Sequence, residues 1–472
     1  MSTLVGQLAD WSVKVSFSDL PQDIVDTTKQ RLLDVIGVAF AGRSTEFGAA
    51  LGAVASKTWP ASQLSGFHAA GAATFPHLNA FVNGSLAAAL DYDDTHNETV
   101  IHSTSPTAAA VLALAETMPL SGQAVILSIA VGSEICCRIG VGAPGEFHKR
   151  GFHPTGIIGA YGAAAGAAKA LGLDRRATVS AMGLVSSLGS GIMQSWVDGT
   201  DARYIHNGHA ALSGLLSAQL AAGGVSGPEQ CLEGKFGVFT THLQGAGTLP
   251  LARVVDGLGV QWESRNISFK PYPTAHVSHS FIDALLELVR KHDLKADDVE
   301  SMTCYVAEYM APIVCEPKAE KAAPATPASA RVSLQHTLAE ALVFRDISAA
   351  SFSPERLKDP RVRRLASSTQ YAVDANAPGR ERFKGWVKVK LKDGRELECI
   401  KDHNWGSAAN PMTRDDIIGK FVANMSGAMS EPAARNVAQE ILTLETAADL
   451  RSIFGSLDAN RIRSAPRSAR HH

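Results

Sequence analysis

Apolar and polar positions alternate along this chain with two different periods. From residue 1 to about 260 the apolar positions recur at helical spacing. In "PQDIVDTTKQRLLDVIGVAFAG", Pro21 suits a first turn, Ile24, Val25, Leu32, Val35 and Ile36 share a stripe, and Gly42 ends the run. The segments "SPTAAAVLALAETM", "SGQAVILSIAVGSEICCRIG", "PTGIIGAYGAAAGAAKALGL", "RRATVSAMGLVSSLGSGIM" and "NGHAALSGLLSAQLAAGG" follow, apolar nearly all round and rich in Ala and Gly. Small side chains let helix axes approach closely, so the spacing predicts an all-helical first half with a close-packed interior.

Near residue 263 the texture changes. "VESMTCYVAEYM" and "FKGWVKVKLKDGRELECIK" alternate with period two, and Asp393-Gly394 predicts a hairpin turn in the second. Helices are predicted in "HSFIDALLELVRKH", which Asp283 would help open, and in "RVSLQHTLAEALVF", with "CEPKAEKAAPATPAS" as an exposed loop between strand and helix. Helical spacing returns in "TRDDIIGKFVANM" and "EPAARNVAQEILTLE". The expected architecture is mainly α: a helical domain from both chain ends (1–262 and 401–455), an inserted α/β domain (263–400), and a frayed basic tail (456–472).

Composition narrows the partners. A 472-residue chain with 45% hydrophobic and 19% charged residues can bury a large interior. A formal charge of -2 gives no field for nucleic acid or anionic lipid, so the expected partner is a small molecule or another protein. The N-terminal sequence lacks a signal-peptide pattern and no window reads as an unbroken apolar membrane span, so a soluble, cytoplasmic protein is expected. The six cysteines, at 136, 137, 231, 304, 315 and 399, lack zinc-site spacing and read as reduced, buried thiols.

Against this bland background, "DYDDTHNETVIHS" concentrates Asp91, Asp93, Asp94, Thr95, His96, Glu98 and His102 behind an apolar helix. That pattern fits a solvated helix end as well as a site, and it has no fixed metal-ligand spacing. His153 precedes Pro154 and Thr155, where a helix N-terminus offers free N–H groups to a carboxylate. The glycines that follow lack the context of a dinucleotide fingerprint and read as packing contacts. "DGTDARYIHNGHAA" supplies Arg203, His206 and His209, and "SFKPYPTAHVSHSFIDA" places Lys270, His276 and His279 on a proline-stiffened loop. His336, on a helix, reads as a core or surface histidine. Together these groups suit an anionic polycarboxylate ligand, with no metal and no cofactor.

"DYDDTH", "GFHPTGIIGAYGAAAGAAKALGLD", "HNGHAALSGLLSAQLA", "GVSGPEQCLEGKFGVF", "FKPYP", "SLQHTLAEAL" and "ANPMTRDDIIGKF" occur in one order over residues 5–450. In them the chain resembles the MmgE/PrpD family, which includes 2-methylcitrate dehydratases, cis-aconitate decarboxylases and an iminodisuccinate epimerase. The resemblance implies that the inserted domain is a lid over the acidic-imidazole stretch, and that the protein is a homodimer. It also implies active-site positions at Asp91, Thr95, His102, His153 and Lys270, with His279 ending the lysine-proline loop. In the reading adopted here His153 and His102 are the acid/base candidates, oriented by Asp91. Thr95, Arg203, Lys270, His276 and His279 are assigned to substrate binding.

Three positions depart from the family: Arg203 stands where many members have lysine, Ala275 replaces a histidine now displaced to His276, and His336 replaces a tyrosine. Arginine keeps the charge but is a poor proton donor or base. The shared chemistry is proton transfer next to a carboxylate, through an enolate-like state stabilised by fixed positive charge. The departures count against a decarboxylase identical to those known. The first expectation is therefore a hydro-lyase acting on a 2-methylcitrate- or citrate-like acid, followed by an epimerase or a decarboxylase. A non-catalytic binding protein is the alternative of another class.

Overall fold

Two apolar cores organise the chain in the computed structural model, which describes residues 2–58 and 75–457. The basic stretch from 458 onward, and with it nearly all of the expected frayed tail, lies outside the described residues. The first core is helical. It gathers Gln22–Gly42, Pro76–Ala88, Thr104–Ala115, Gly122–Val141, Pro154–Ala170, Arg175–Val185 and Ile205–Ala222, with Arg414–Met425 and Glu431–Leu442 from the far end of the chain. The Ala/Gly texture explains the packing: a Cβ added at Gly162 would lie 2.8 Å from Cys136 Cβ and 2.9 Å from the Gly132 carbonyl oxygen. Overpacking of that kind costs about 1–3 kcal/mol, so small residues are required where these helices cross.

The second core spans residues 272–391. Helices His279–His292, Leu334–Phe344 and Pro360–Ser368 accompany a four-stranded sheet. In chain order the strands of the molecule are β1 (Thr95–His96), β2 (Ile267–Ser268), β3 (Val299–Val306), β4 (Thr369–Val373), β5 (Gly385–Leu391) and β6 (Glu396–Lys401). The sheet runs β4-β3-β5-β6, with β3 and β4 parallel and the other pairs antiparallel. Period-two alternation puts Val387, Val389 and Leu391 into the core and turns Trp386 and Lys388 outward. Gly394, at φ +89°, closes the β5–β6 hairpin as only glycine readily does.

Several expectations need correction. β4 is a strand the alternation did not reveal, because its five residues carry little pattern and its pairing with β3 is parallel and distant in sequence. The Pro/Ala/Lys stretch contains two short helices, Lys318–Ala322 and Pro327–Arg331, the second capped by Thr326. The helix begun at Arg175 ends at Val185, well before residue 193. Asp283 lies inside its helix and does not cap it: its carboxylate accepts from Tyr272 Oη and from the Trp405 amide, both at 2.9 Å. Gly122–Val141 is long and apolar enough to cross a membrane, yet it is mostly buried in the first core and carries Glu134 and Arg138, paired at 2.7 Å.

Candidate active site

The acidic-imidazole stretch begins where the helix Pro76–Ala88 gives out. Asp91 takes a left-handed conformation, φ +52°, which aspartate tolerates better than most residues. Thr95 and His96 form β1, which pairs with β2 in the register Thr95↔Ser268 and His96↔Ile267. His96 pins the turn that follows, with Nδ1 2.9 Å from Thr99 Oγ1 and Nε2 3.0 Å from Glu263 Oε1. This short ladder brings the chain just beyond β2 back to Asp91.

Lys270 is consequently buried against Asp91. Its Nζ donates to Asp91 Oδ1 at 2.6 Å and to the Asp91 carbonyl oxygen at 2.9 Å. Arg203 Nη2 donates to the same Oδ1 at 3.0 Å, and its guanidinium lies over the Trp196 ring, 4.6 Å from the centroid. Burial alone would raise the Asp91 pKa, but Arg203 and then Lys270 outweigh it and hold the carboxyl well below its usual range. Asp93 acts on both cations as well, so this corner sets two buried carboxylates against Arg203 and Lys270.

His102 sits on the other side of Asp91, with Nε2 3.9 Å from Oδ1. Its Nδ1 is 2.9 Å from the Asp94 carbonyl oxygen and 3.1 Å from Asp93 Oδ1. Both are acceptors, so Nδ1 carries a hydrogen and Nε2 is left as the atom that can exchange one. Burial would raise Asp93, but His102 and its hydrogen bonds outweigh this and the carboxyl ends below its usual value. Thr95 Oγ1 lies 3.4 Å from His102 Nδ1 and makes no hydrogen bond to Asp91, while the His102 amide donates to Thr155 Oγ1 at 3.1 Å.

His153 stands at the N-cap of Pro154–Ala170, and its ring lies 6.1 Å from that of His102. Its Nδ1 is 3.0 Å from His206 Nδ1, and its ring meets Trp196 edge to face at 5.1 Å. His148 stacks parallel to it at 6.5 Å. Burial, then the neighbouring His206 and Arg203, push His153 well below the usual histidine value. The ring is therefore held in its neutral form at neutral pH.

His276 and His279 come from the second core and pack edge to face at 4.9 Å. His276 Nε2 accepts from Asn404 Nδ2 at 2.9 Å, and His279 Nε2 donates to the Thr274 carbonyl oxygen at 3.2 Å. Burial and then Lys270 push His279 down to about 3. It is uncharged at neutral pH, so as it stands it offers a carboxylate no positive charge. His336 is buried in the second core beside Phe352.

Direct contacts thus join Asp91 to His102, Arg203 and Lys270, while His153 enters through its neighbouring rings. Sequence reasoning passed over Asp93, His148, Trp196 and Asn404 as site residues, and noted His206 without giving it a role. Asp93 was visible in the same motif, whereas Trp196 and Asn404 carry no local signal because folding alone brings them in. Asp91, Asp93 and His102 are the group among the described residues whose spacing would suit a metal ion. A cation there would face Lys270 and Arg203, both already on Asp91 Oδ1, and that repulsion weighs against it.

The fold and site define a largely helical protein with two apolar cores, in which buried cations and imidazoles gather around Asp91 and Asp93. The MmgE/PrpD N-terminal domain matches residues 6–248 and the MmgE/PrpD C-terminal domain matches residues 272–446. The chain belongs to the MmgE/PrpD family. It is 26% identical over 470 residues to the cis-aconitate decarboxylase-like protein oryM of Aspergillus oryzae, covering 96% of each chain. It is 28% identical to the cis-aconitate decarboxylase of Homo sapiens, over 91% of this chain and 89% of the relative. With that of Aspergillus terreus (strain NIH 2624 / FGSC A1156) it shares 25% identity, over 97% and 96%.

Proposed function

We propose that this protein is a carboxy-lyase that removes CO2 from a small unsaturated polycarboxylate of the cis-aconitate type, without a cofactor. The observation that carries the reading is the cation pair on Asp91: Arg203 and Lys270 are held together on that buried carboxylate, near the His153 ring that burial keeps neutral. The relatives named for this activity, matched over nearly their whole length, support it over the dehydratase expected first.

Decarboxylation of an unsaturated tricarboxylate breaks one carbon–carboxylate bond, and its electron pair forms a new double bond. The pair of the old double bond takes a proton on carbon. Negative charge passes towards a remaining carboxylate in the transition state, where fixed cations in a site shielded from water act most strongly. Arg203 and Lys270 supply that charge, Asp91 sets their positions, and His153 and His102 bring the proton. Arg203 replaces the family lysine with a planar group that stacks on Trp196, so it anchors a carboxylate and leaves the proton to imidazole.

The test is to incubate the purified protein with cis-aconitate, citrate, 2-methylcitrate and iminodisuccinate, following each by NMR and trapping CO2. CO2 is expected from cis-aconitate. Dehydration of 2-methylcitrate without CO2 release from any compound would return the assignment to the hydro-lyase.

A further inference from the structure

The reaction just proposed consumes one proton per turnover, and His153 is almost sealed from water, with 1% of its surface exposed. Its Nδ1 has one partner, His206 Nδ1, at 3.0 Å. His206 is more open, at 8%, and one helical turn further along Ile205–Ala222 stands His209, half-buried, with its Nδ1 unpartnered. Exposure thus rises from His153 to His206 to His209.

The His206 ring is closely seated. Gly191, at φ +148°, lies against it: a Cβ there would stand 3.1 Å from His206 Cγ and Nδ1. The carbonyl of the same Gly191 accepts from the His153 amide at 3.0 Å, so one glycine sets both rings. A Cβ at Gly156 would come within 3.4 Å of His206 Cβ.

We propose that His206 is the proton-supplying residue of this enzyme, passing a solvent proton through His153 to the substrate carbon. The inference rests on the decarboxylase reading. At the start His206 carries its hydrogen on Nδ1 and His153 carries its own on Nε2. A solvent proton arrives at His206 Nε2, the Nδ1 hydrogen crosses to His153 Nδ1, and the His153 Nε2 hydrogen goes to carbon as CO2 leaves. Each ring ends neutral with its tautomer exchanged, and exchange with solvent resets the pair after product leaves. The nitrogen–nitrogen contact suits this because either imidazole can donate or accept at that position.

Two measurements test it. In His206→Gln, kcat for CO2 release should fall by about 100-fold, the lower end of what general acid–base groups contribute, with KM nearly unchanged and with partial rescue by added imidazole. In the wild type, which needs no variant to fold, the single-turnover rate of CO2 release should depend on the fraction of D2O along a curve, because two hydrogens move together. A linear dependence, or an undiminished kcat in His206→Gln, overturns the relay while leaving the decarboxylase reading intact. A wild type that releases no CO2 overturns both.

Discussion

Two pairs of histidines flank Asp91, and they are built on opposite plans. His153 and His206, from the helical core, bond to each other through ring nitrogens. His276 and His279, from the second core, are tied to groups that cannot exchange roles: an Asn404 amide that only donates and a Thr274 carbonyl that only accepts. An imidazole joined to another imidazole can change tautomer, whereas one tied to an amide or carbonyl is locked in one. On the proposed reading the first pair can hand a proton from ring to ring, whereas His276 and His279 bond to no second proton carrier. The same residue type thus serves two purposes, and its partner decides which.

The comparison can be broken most forcefully at His153. His153→Ala should lower kcat by about 100-fold to 10,000-fold with little change in KM, and steady-state CO2 release measures this directly. Nearly full kcat would move the proton donor to His102. Arg203→Lys keeps the charge but gives up the planar stack on Trp196, so kcat/KM should fall by an amount worth about 1–3 kcal/mol, part of it in KM. An increase in kcat on cis-aconitate would make Arg203 a proton-handling position after all.

The locked pair should speak through stability. Folding holds His279 at about 3, below its unfolded value near 6.5, so the unfolded state takes up the proton first as pH falls. Its contribution is full above about pH 6.5 and is lost from there down to about 3, at about 1.4 kcal/mol per pH unit. His148, His153, His206, His276 and His336 are lowered in the same way, so thermal melts between pH 7 and 4 should show a summed slope that His279→Gln reduces by its own share, while changing kcat by less than about 10-fold, far less than His153→Ala does. The smallest effect is expected from chelation. Turnover should survive exhaustive EDTA treatment, since Lys270 and Arg203 already hold Asp91 Oδ1 and would repel a cation there. Loss of activity restored by a divalent ion would reassign Asp91, Asp93 and His102 as ligands.

How much of this was legible depended on the range over which each feature is encoded. The helices of the first core are written locally, in Ala/Gly stripes with their caps, and they could be read directly, as could the β5–β6 hairpin at Asp393-Gly394. β4 could not, because its partner β3 lies more than sixty residues earlier and the pairing is parallel. In the site, Asp91, His102, His153 and Lys270 stood out as titratable groups in apolar surroundings. Their mutual contacts were invisible, since the β1–β2 ladder that brings Lys270 to Asp91 is two residues long. The identity of Arg203 was plain from the sequence, but its stacking on Trp196 emerges only from the fold. Sequence placed dehydration first because the departures at Arg203, Ala275 and His336 were weighed against decarboxylation. The relatives matched over nearly their whole length favour decarboxylation.

The most direct test of the account is an NMR time course of the purified protein with cis-aconitate in D2O. The account predicts CO2 together with a five-carbon unsaturated dicarboxylate carrying one deuteron on carbon for each CO2 released. Deuterium exchange or addition of water with every carboxylate retained would contradict it.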